Sequence, residues 1–214
     1  MKRTFFSLAL LLAVATLTAQ TKMTAREAAV KIADRILAST TYEFKNTKTG
    51  EIYKSVKKLP LDMDVKVACK YNNWHYTNGV TNMALMELGD KLGDKKYEKY
   101  VLKNMNFVFN EGNLDFFRKQ YDEAFKRDGW NAVRKLSWHM IFRGKRLDDN
   151  GPMGASLIEL QLKYPNDSFL GYINETAEHL NYGEPRLVDG TIARIWPHVN
   201  TIWADDAFMA ISFL

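Results

Sequence analysis

The chain has 214 residues, 46% hydrophobic and 13% aromatic, which suffices for one ordinary globular domain with a substantial core and not clearly for two. Disorder over most of the length is excluded by the same composition. The formal charge of +5 falls to +3 once Lys2 and Arg3 are set aside, 28 basic against 25 acidic residues; so mild and even a balance tolerates an anionic substrate and gives no argument for a nucleic-acid partner.

From the start of the chain, "MKRTFFSLALLLAVATLTAQTK" sets Lys2 and Arg3 before an apolar run from Phe5 to about Ala15, followed by small residues. This pattern predicts a secretory signal peptide over 1–19, cleaved near Ala19, and hence an exported, periplasmic or secreted protein. The run is too short to span a bilayer, and no cysteine follows it, so no membrane anchor is expected. Cys69 is the single cysteine; the protein must hold together by core burial without an internal disulfide, and a lone thiol is expected as a small buried hydrophobe.

Residues 20–214 are expected to form one domain. "TAREAAVKIADRILAST" carries a Thr N-cap, a Glu three residues on and helically spaced apolar positions, and predicts a helix. Residues 40–73 are mixed: "NTKTGE" is a turn, and "LPLDMDVKVACKY" reads as either a loop or a short extended piece. Next, "WHYTNGVTNMALMELGDKLGDKKYEKYVLKNMNFVFN" predicts two helices joined at Gly93 and Asp94. "NLDFFRKQYDEAFKRDGWNAVRKLSWHMIFRGK" is also helical, broken at Gly129. Its Phe116, Phe117, Tyr121 and Phe125 have core spacing, the alternative being an insertion over the mouth of the site.

A repeat organises the rest. At an offset of 72 residues, from Gly79 to Gly151, "WHYTNGVTNMALMEL…" aligns with "RLDDNGPMGASLIEL…". Leu85-Met86-Glu87-Leu88 meets Leu157-Ile158-Glu159-Leu160, Asp94 meets Asn166, Tyr97 meets Phe169, and Tyr100-Val101 meets Tyr172-Ile173. Each unit is a leading loop, a nearly all-apolar helix, a short turn and a more polar amphipathic helix. Stacking such pairs gives an inner and an outer layer of helices, a solenoid or a closed α/α ring. "ADDAFMAISFL" would begin a third inner helix.

Inner helices of such an array run the same way, so the loops before them, 74–79, 146–151 and 200–206, open on one face. They carry the acidic pairs Asp148-Asp149 and Asp205-Asp206 with Trp74, Tyr76 and Trp203. An Asp at a helix start acts as a cap worth about 1 kcal/mol. Aromatic faces beside paired acids also suit a carbohydrate site, the rings stacking on sugars and the acids moving protons. Composition and spacing leave these two readings open. His75, His139, His179 and His198 are scattered, no metal-ligand spacing is present, and no nucleophile elbow, P-loop or dinucleotide fingerprint appears.

"WHYTNGVTNMALMEL", "LDDNGPMGASLIEL" and especially "NTIWADDAFMAISFL" resemble the unsaturated glycuronyl hydrolases, glycoside hydrolase families 88 and 105, most of all the unsaturated rhamnogalacturonyl hydrolase branch, over roughly residues 28–214. The resemblance implies an all-α fold, the (α/α)6 barrel of six hairpins, present here as a partial ring. It also implies removal of the 4,5-unsaturated uronic acid that polysaccharide lyases leave on pectin or glycosaminoglycan fragments. The partner is then an unsaturated oligosaccharide, with no cofactor and no metal.

Carried over by residue, Asp205 matches the general acid/base and Asp149 the second essential aspartate, leaving Asp148 as the cap. Asp205 is expected to be buried beside Trp203 and near Asp149, which would raise its pKa. Trp203 and Tyr76, with Trp74, are expected in the substrate subsite, and Arg194 is a further substrate-binding candidate. The chain stops inside an apolar helical pattern and reads as a partial product of a longer protein, with hydrolysis expected of the complete ring. Competing readings are another α/α-barrel carbohydrate enzyme, such as an epimerase or an inverting hydrolase, and a non-catalytic helical-repeat glycan-binding protein.

Overall fold

The computed structural model describes residues 23–110, 112–143 and 146–214; the signal peptide expected over 1–19 lies outside the described residues. Internal contacts divide the chain into residues 1–35 and 36–214. Helix α1 (Ala25–Ser39), whose first residues fall in the first unit, begins on a capping box: the Glu27 carboxylate accepts the Thr24 N–H at 2.8 Å, and Thr24 Oγ1 accepts the Glu27 N–H at 3.2 Å. This is the cap that the Thr and Glu spacing predicted.

The second unit opens with a small antiparallel sheet, β1 (Phe44–Asn46), β2 (Ile52–Tyr53) and β3 (Val65–Val67), in the order β2-β1-β3. Phe44 pairs with both Tyr53 and Val67. The ambiguous 59–71 stretch is thus in part extended, because Val65 and Val67 turn inward to join Phe44 in the core while Lys66 stays half-buried between them. The helices that follow are α2 (Tyr76–Leu92), α3 (Lys96–Phe109), α4 (Asn113–Val133), the short α5 (Met140–Arg143), α6 (Leu147–Lys163), α7 (Asp167–Glu178) and α8 (Asp206–Ile211). The fold is all-α, a partial ring of the six-hairpin type. Helix α4 kinks at Asp128 and Gly129, where φ turns to +53° at Gly129, a conformation open to glycine at little steric cost.

The repeat survives in three dimensions. Asp94 Oδ1 accepts the N–H of Lys96, and its counterpart Asn166 Oδ1 accepts the N–H of Ser168 at 2.9 Å. Tyr97 and Phe169 are both fully buried, so each polar helix is pinned by one aromatic side chain near its start. Helix α6 packs between α2 and α8 and is buried from Asp149 through Leu157, as an inner helix should be. Helix α2, packed on α3 and α6, buries a single stripe. Of the five aromatic residues in α4, Phe116 and Phe117 are core, Tyr121 is half-buried, and Phe125 and Trp130 are exposed. Cys69 is half-buried, its thiol directed at the Ser39 carbonyl at 3.7 Å.

The Asn-Gly steps of the repeat are points of backbone contact. A Cβ on Gly79 would run into the backbone of Pro152 and Met153, and one on Gly151 into the carbonyl of Met209. A Cβ on Gly154 would lie 2.6 Å from the Phe213 ring. Glycine therefore sets how closely α2, α6 and α8 approach one another at their N-terminal ends, within a close-packed core. Around that contact Leu147, Leu180, Met209, Ala210 and Phe213 form a hydrophobic cluster onto which Tyr76 packs. The three leading segments converge, as the parallel run of inner helices requires.

Candidate active site

Helix α6 starts at Leu147 with Arg146 as its N-cap residue, and α8 starts at Asp206 with Asp205 as its N-cap residue. Both acidic pairs therefore sit in or against a first turn rather than in a preceding loop. Neither Arg146 nor Asp205 makes a side-chain capping bond, so the simple capping reading fails for Asp205, and Asp148 is engaged elsewhere.

Asp149 is fully buried, and its carboxylate is gripped from both sides by Arg143 at the end of α5. Arg143 Nε donates to Oδ2 at 2.5 Å while a terminal guanidinium nitrogen donates to Oδ1. Removing a carboxylate from water disfavours its charged form, and that loss pushes the Asp149 pKa up although the Arg143 bonds and charge pull it back. The Asp149 carbonyl accepts the Trp74 indole N–H at 2.7 Å, tying the first leading segment to the second.

A second clamp joins the second leading segment to the third. Arg194 Nε donates to Asp206 Oδ1 and Oδ2 at 2.6 and 2.7 Å, and its terminal nitrogen reaches Asp148 Oδ1 at 3.2 Å. Asp206 Oδ2 also accepts the Trp203 backbone N–H at 2.7 Å, reaching back as the acid of a capping box does. The Arg194 guanidinium lies 4.3 Å from the Trp203 ring centroid. The Asp206 hydrogen bonds hold Arg194 charged, raising its pKa further.

Several expectations need correction. Trp74 does not line a subsite: it is fully buried, with Tyr172, Phe109 and Trp138 around it, because its indole N–H is used up on Asp149 in the core. Asp205 is exposed rather than buried; burial falls instead on Asp149 and Asp206. Asp148 is an ion-pair partner of Arg194 rather than a cap. Arg194 spends its fork on two aspartates, Asp206 and Asp148. Tyr76 is half-buried at the convergence, and Trp203 is exposed at 44%. Of the histidines, His75 accepts the Thr77 N–H as N-cap of α2, His139 is buried on the Leu136 carbonyl, and burial lowers the pKa of both.

Sequence reasoning missed Arg143, Arg146 and the pair His179–Glu184, whose Nε2 and Oε2 lie 2.8 Å apart. Burial raises the Glu184 pKa against the opposing pull of His179. Arg143, His179 and Glu184 line a cleft of about 490 Å³ together with Arg118, Asn150 and Glu175 among others. A smaller one of about 150 Å³, walled by Arg146, Leu147, Arg194 and Trp196, shares Glu184 and Ile195 with it. Both buried aspartates are already neutralised by arginine, so neither presents the free charge that a divalent ion requires.

No helix among the described residues is long and apolar enough to cross a membrane. No curated protein matches the chain significantly. Residues 54–214 match the sequence profile of Glycosyl Hydrolase Family 88, a span that holds all three leading segments, both arginine clamps and both clefts. The chain therefore belongs to Glycosyl Hydrolase Family 88, and is a glycoside hydrolase of unsaturated uronides.

Proposed function

We propose that this exported protein removes the 4,5-unsaturated uronic acid from the non-reducing end of lyase-generated oligosaccharides, unsaturated rhamnogalacturonan or related pectin fragments, with Asp205 as the proton donor. The observation that carries this reading is the division between the adjacent aspartates. Asp206 is locked by Arg194 and by the Trp203 N–H, while the Asp205 side chain is exposed beside Trp203 and available to a ligand.

The substrate is a vinyl ether, and its chemistry assigns the steps. Asp205 delivers a proton to C4 of the double bond, positive charge develops at C5 and is shared with the ring oxygen, and water adds there as the aspartate takes up its proton. The resulting hemiketal opens to a ketone, and the former anomeric carbon releases the remaining sugar. The Trp203 face supplies a platform for the ring, and the clamped Asp149 and Asp206 contribute fixed structure around it. General acid catalysis of this kind contributes about 10²–10⁴-fold.

The test is incubation of the protein, as its whole reading frame encodes it, with lyase-generated oligosaccharides while following the ultraviolet absorbance of the double bond. Loss of absorbance with release of a keto-uronic acid is expected. Cleavage of a saturated glycoside at an equal rate, or epimerisation without loss of the double bond, would overturn the reading.

A further inference from the structure

Trp138 has φ +62°, in the left-handed region that a bulky L side chain rarely enters. Its ring is fully buried, stacked on Phe117 at 5.8 Å and beside Trp74 at 6.3 Å, and its indole N–H meets no acceptor among the described residues. Two unfavourable features thus fall on one residue, and such strain persists only where the surroundings enforce it. The enforcing contact is on the backbone: Asn73 Oδ1 accepts the Trp138 N–H at 2.7 Å.

The consequence lies downstream. The Trp138 carbonyl accepts the Ile141 N–H at 3.2 Å, opening the single turn of α5, and α5 ends on Arg143, whose guanidinium grips Asp149. The turn at Trp138 therefore sets the direction in which Arg143 is delivered. Asn73 is followed by Trp74, whose indole N–H donates to the Asp149 carbonyl at 2.7 Å. Two consecutive residues thus hold both sides of the Arg143–Asp149 pair, Asn73 the segment of the arginine and Trp74 that of the aspartate. The Asn73 carbonyl also accepts Asn78 Nδ2 at 2.9 Å, which fixes this dipeptide to the start of α2.

We infer that Asn73 is a positioning residue: its carboxamide oxygen holds Trp138 in the left-handed conformation and so seats Arg143 on Asp149. A buried carboxylate stays charged at low cost only while its cation arrives in register. The part Asp149 plays in hydrolysis rests on the proposed function. The seating of Arg143 does not, and it can be read without substrate.

The experiment follows thermal melting of the wild-type protein and Asn73→Leu from pH 3 to pH 7. Leu fills the space of the carboxamide without offering an acceptor; Asn73→Ser, whose oxygen stops short of the Trp138 N–H, carries the same comparison if the Leu variant does not fold. Near pH 3 Asp149 is protonated and needs no cation, so the deficit of the variant should be small there and grow toward neutrality. The charged groups facing Asp149 are Arg143, Arg146 and Asp148, while His75 and His139 also feel its charge. In an Arg143→Met background the growth should vanish, since no arginine is left to misplace; growth that persists there would belong to His139 and overturn the inference. A deficit of constant size across the pH range would overturn it as well, as a purely structural loss. With unsaturated oligosaccharides as substrate, Asn73→Leu should lower kcat at least about tenfold while KM stays within about threefold. Asn73→Asp, which keeps the acceptor, should recover most of both effects. Growth of the deficit with pH but undiminished kcat would support the seating and remove Asp149 from the reaction instead.

Discussion

Arg194 holds both carboxylate oxygens of Asp206 through its Nε, at 2.6 and 2.7 Å, and the immediate consequence falls on the neighbour. With Asp206 fixed inward, the next residue back along the first turn of α8, Asp205, is left facing outward. Arg194 also contacts Asp148, so one side chain fixes the starts of α6 and α8 together.

Arg194→Met should therefore destabilise the fold by about 3–5 kcal/mol, because Asp206 stays buried with its charge uncompensated. Replacing both, Arg194→Met with Asp206→Leu, should recover much of that loss, since apolar pairs can substitute for a buried ion pair. Denaturant melts of the two single variants and the double variant check this; strictly additive losses would show that the two residues do not act as a pair.

The pair Arg143–Asp149 predicts a pH dependence. Burial raises the Asp149 pKa above its ordinary value of 3.8, so the native state binds the proton more tightly than the unfolded chain does. The associated stability is fully present below 3.8 and is lost as pH climbs through the folded value. Arg143→Met removes the opposing cation and moves the folded value higher still. Its destabilisation should be small near pH 3 and grow steadily toward neutrality, as followed by thermal melting; a constant deficit across that range would contradict the assignment.

Asp205→Asn should abolish decay of the vinyl ether absorbance, by at least about 10²-fold, while stability stays within about 0.5 kcal/mol because the side chain is exposed. Asp206→Asn should show the reverse balance, with a clear loss of stability. Substantial turnover in Asp205→Asn would remove it as proton donor.

Gly151→Ala should cost about 1–3 kcal/mol or more, since the new methyl meets the Met209 carbonyl and the α6–α8 contact must open. Gly171→Ala, in the interior of α7 with nothing within 4 Å of the added carbon, should stabilise by about 0.5–1 kcal/mol. Opposite signs of these two substitutions in parallel melts are the expected result.

Local pattern carried a good deal of this fold. The Thr24–Glu27 box, the break at Gly129, the joint at Gly93 and the 72-residue repeat all follow from short-range chemistry, because caps, left-handed turns and helical periodicity involve residues a few positions apart. The repeat in turn fixed which ends of α2, α6 and α8 meet, since parallel inner helices bring their N-termini to one face.

Ion pairing was decided by the tertiary structure. Nothing in the spacing of Arg194 and Asp148, 46 positions apart, announces their contact, and nothing in the composition of the "WHYTNG" stretch distinguishes a Trp74 that enters the core from a Tyr76 that stops halfway. Which aspartate of each pair is buried depends on where a guanidinium from another segment arrives, because a carboxylate leaves water only where a partner offsets its desolvation. Sequence determined the helices, their repeat and the face on which the acids gather. Only the packed structure decided that Asp149 and Asp206 are held by arginines and that Asp205 stands free.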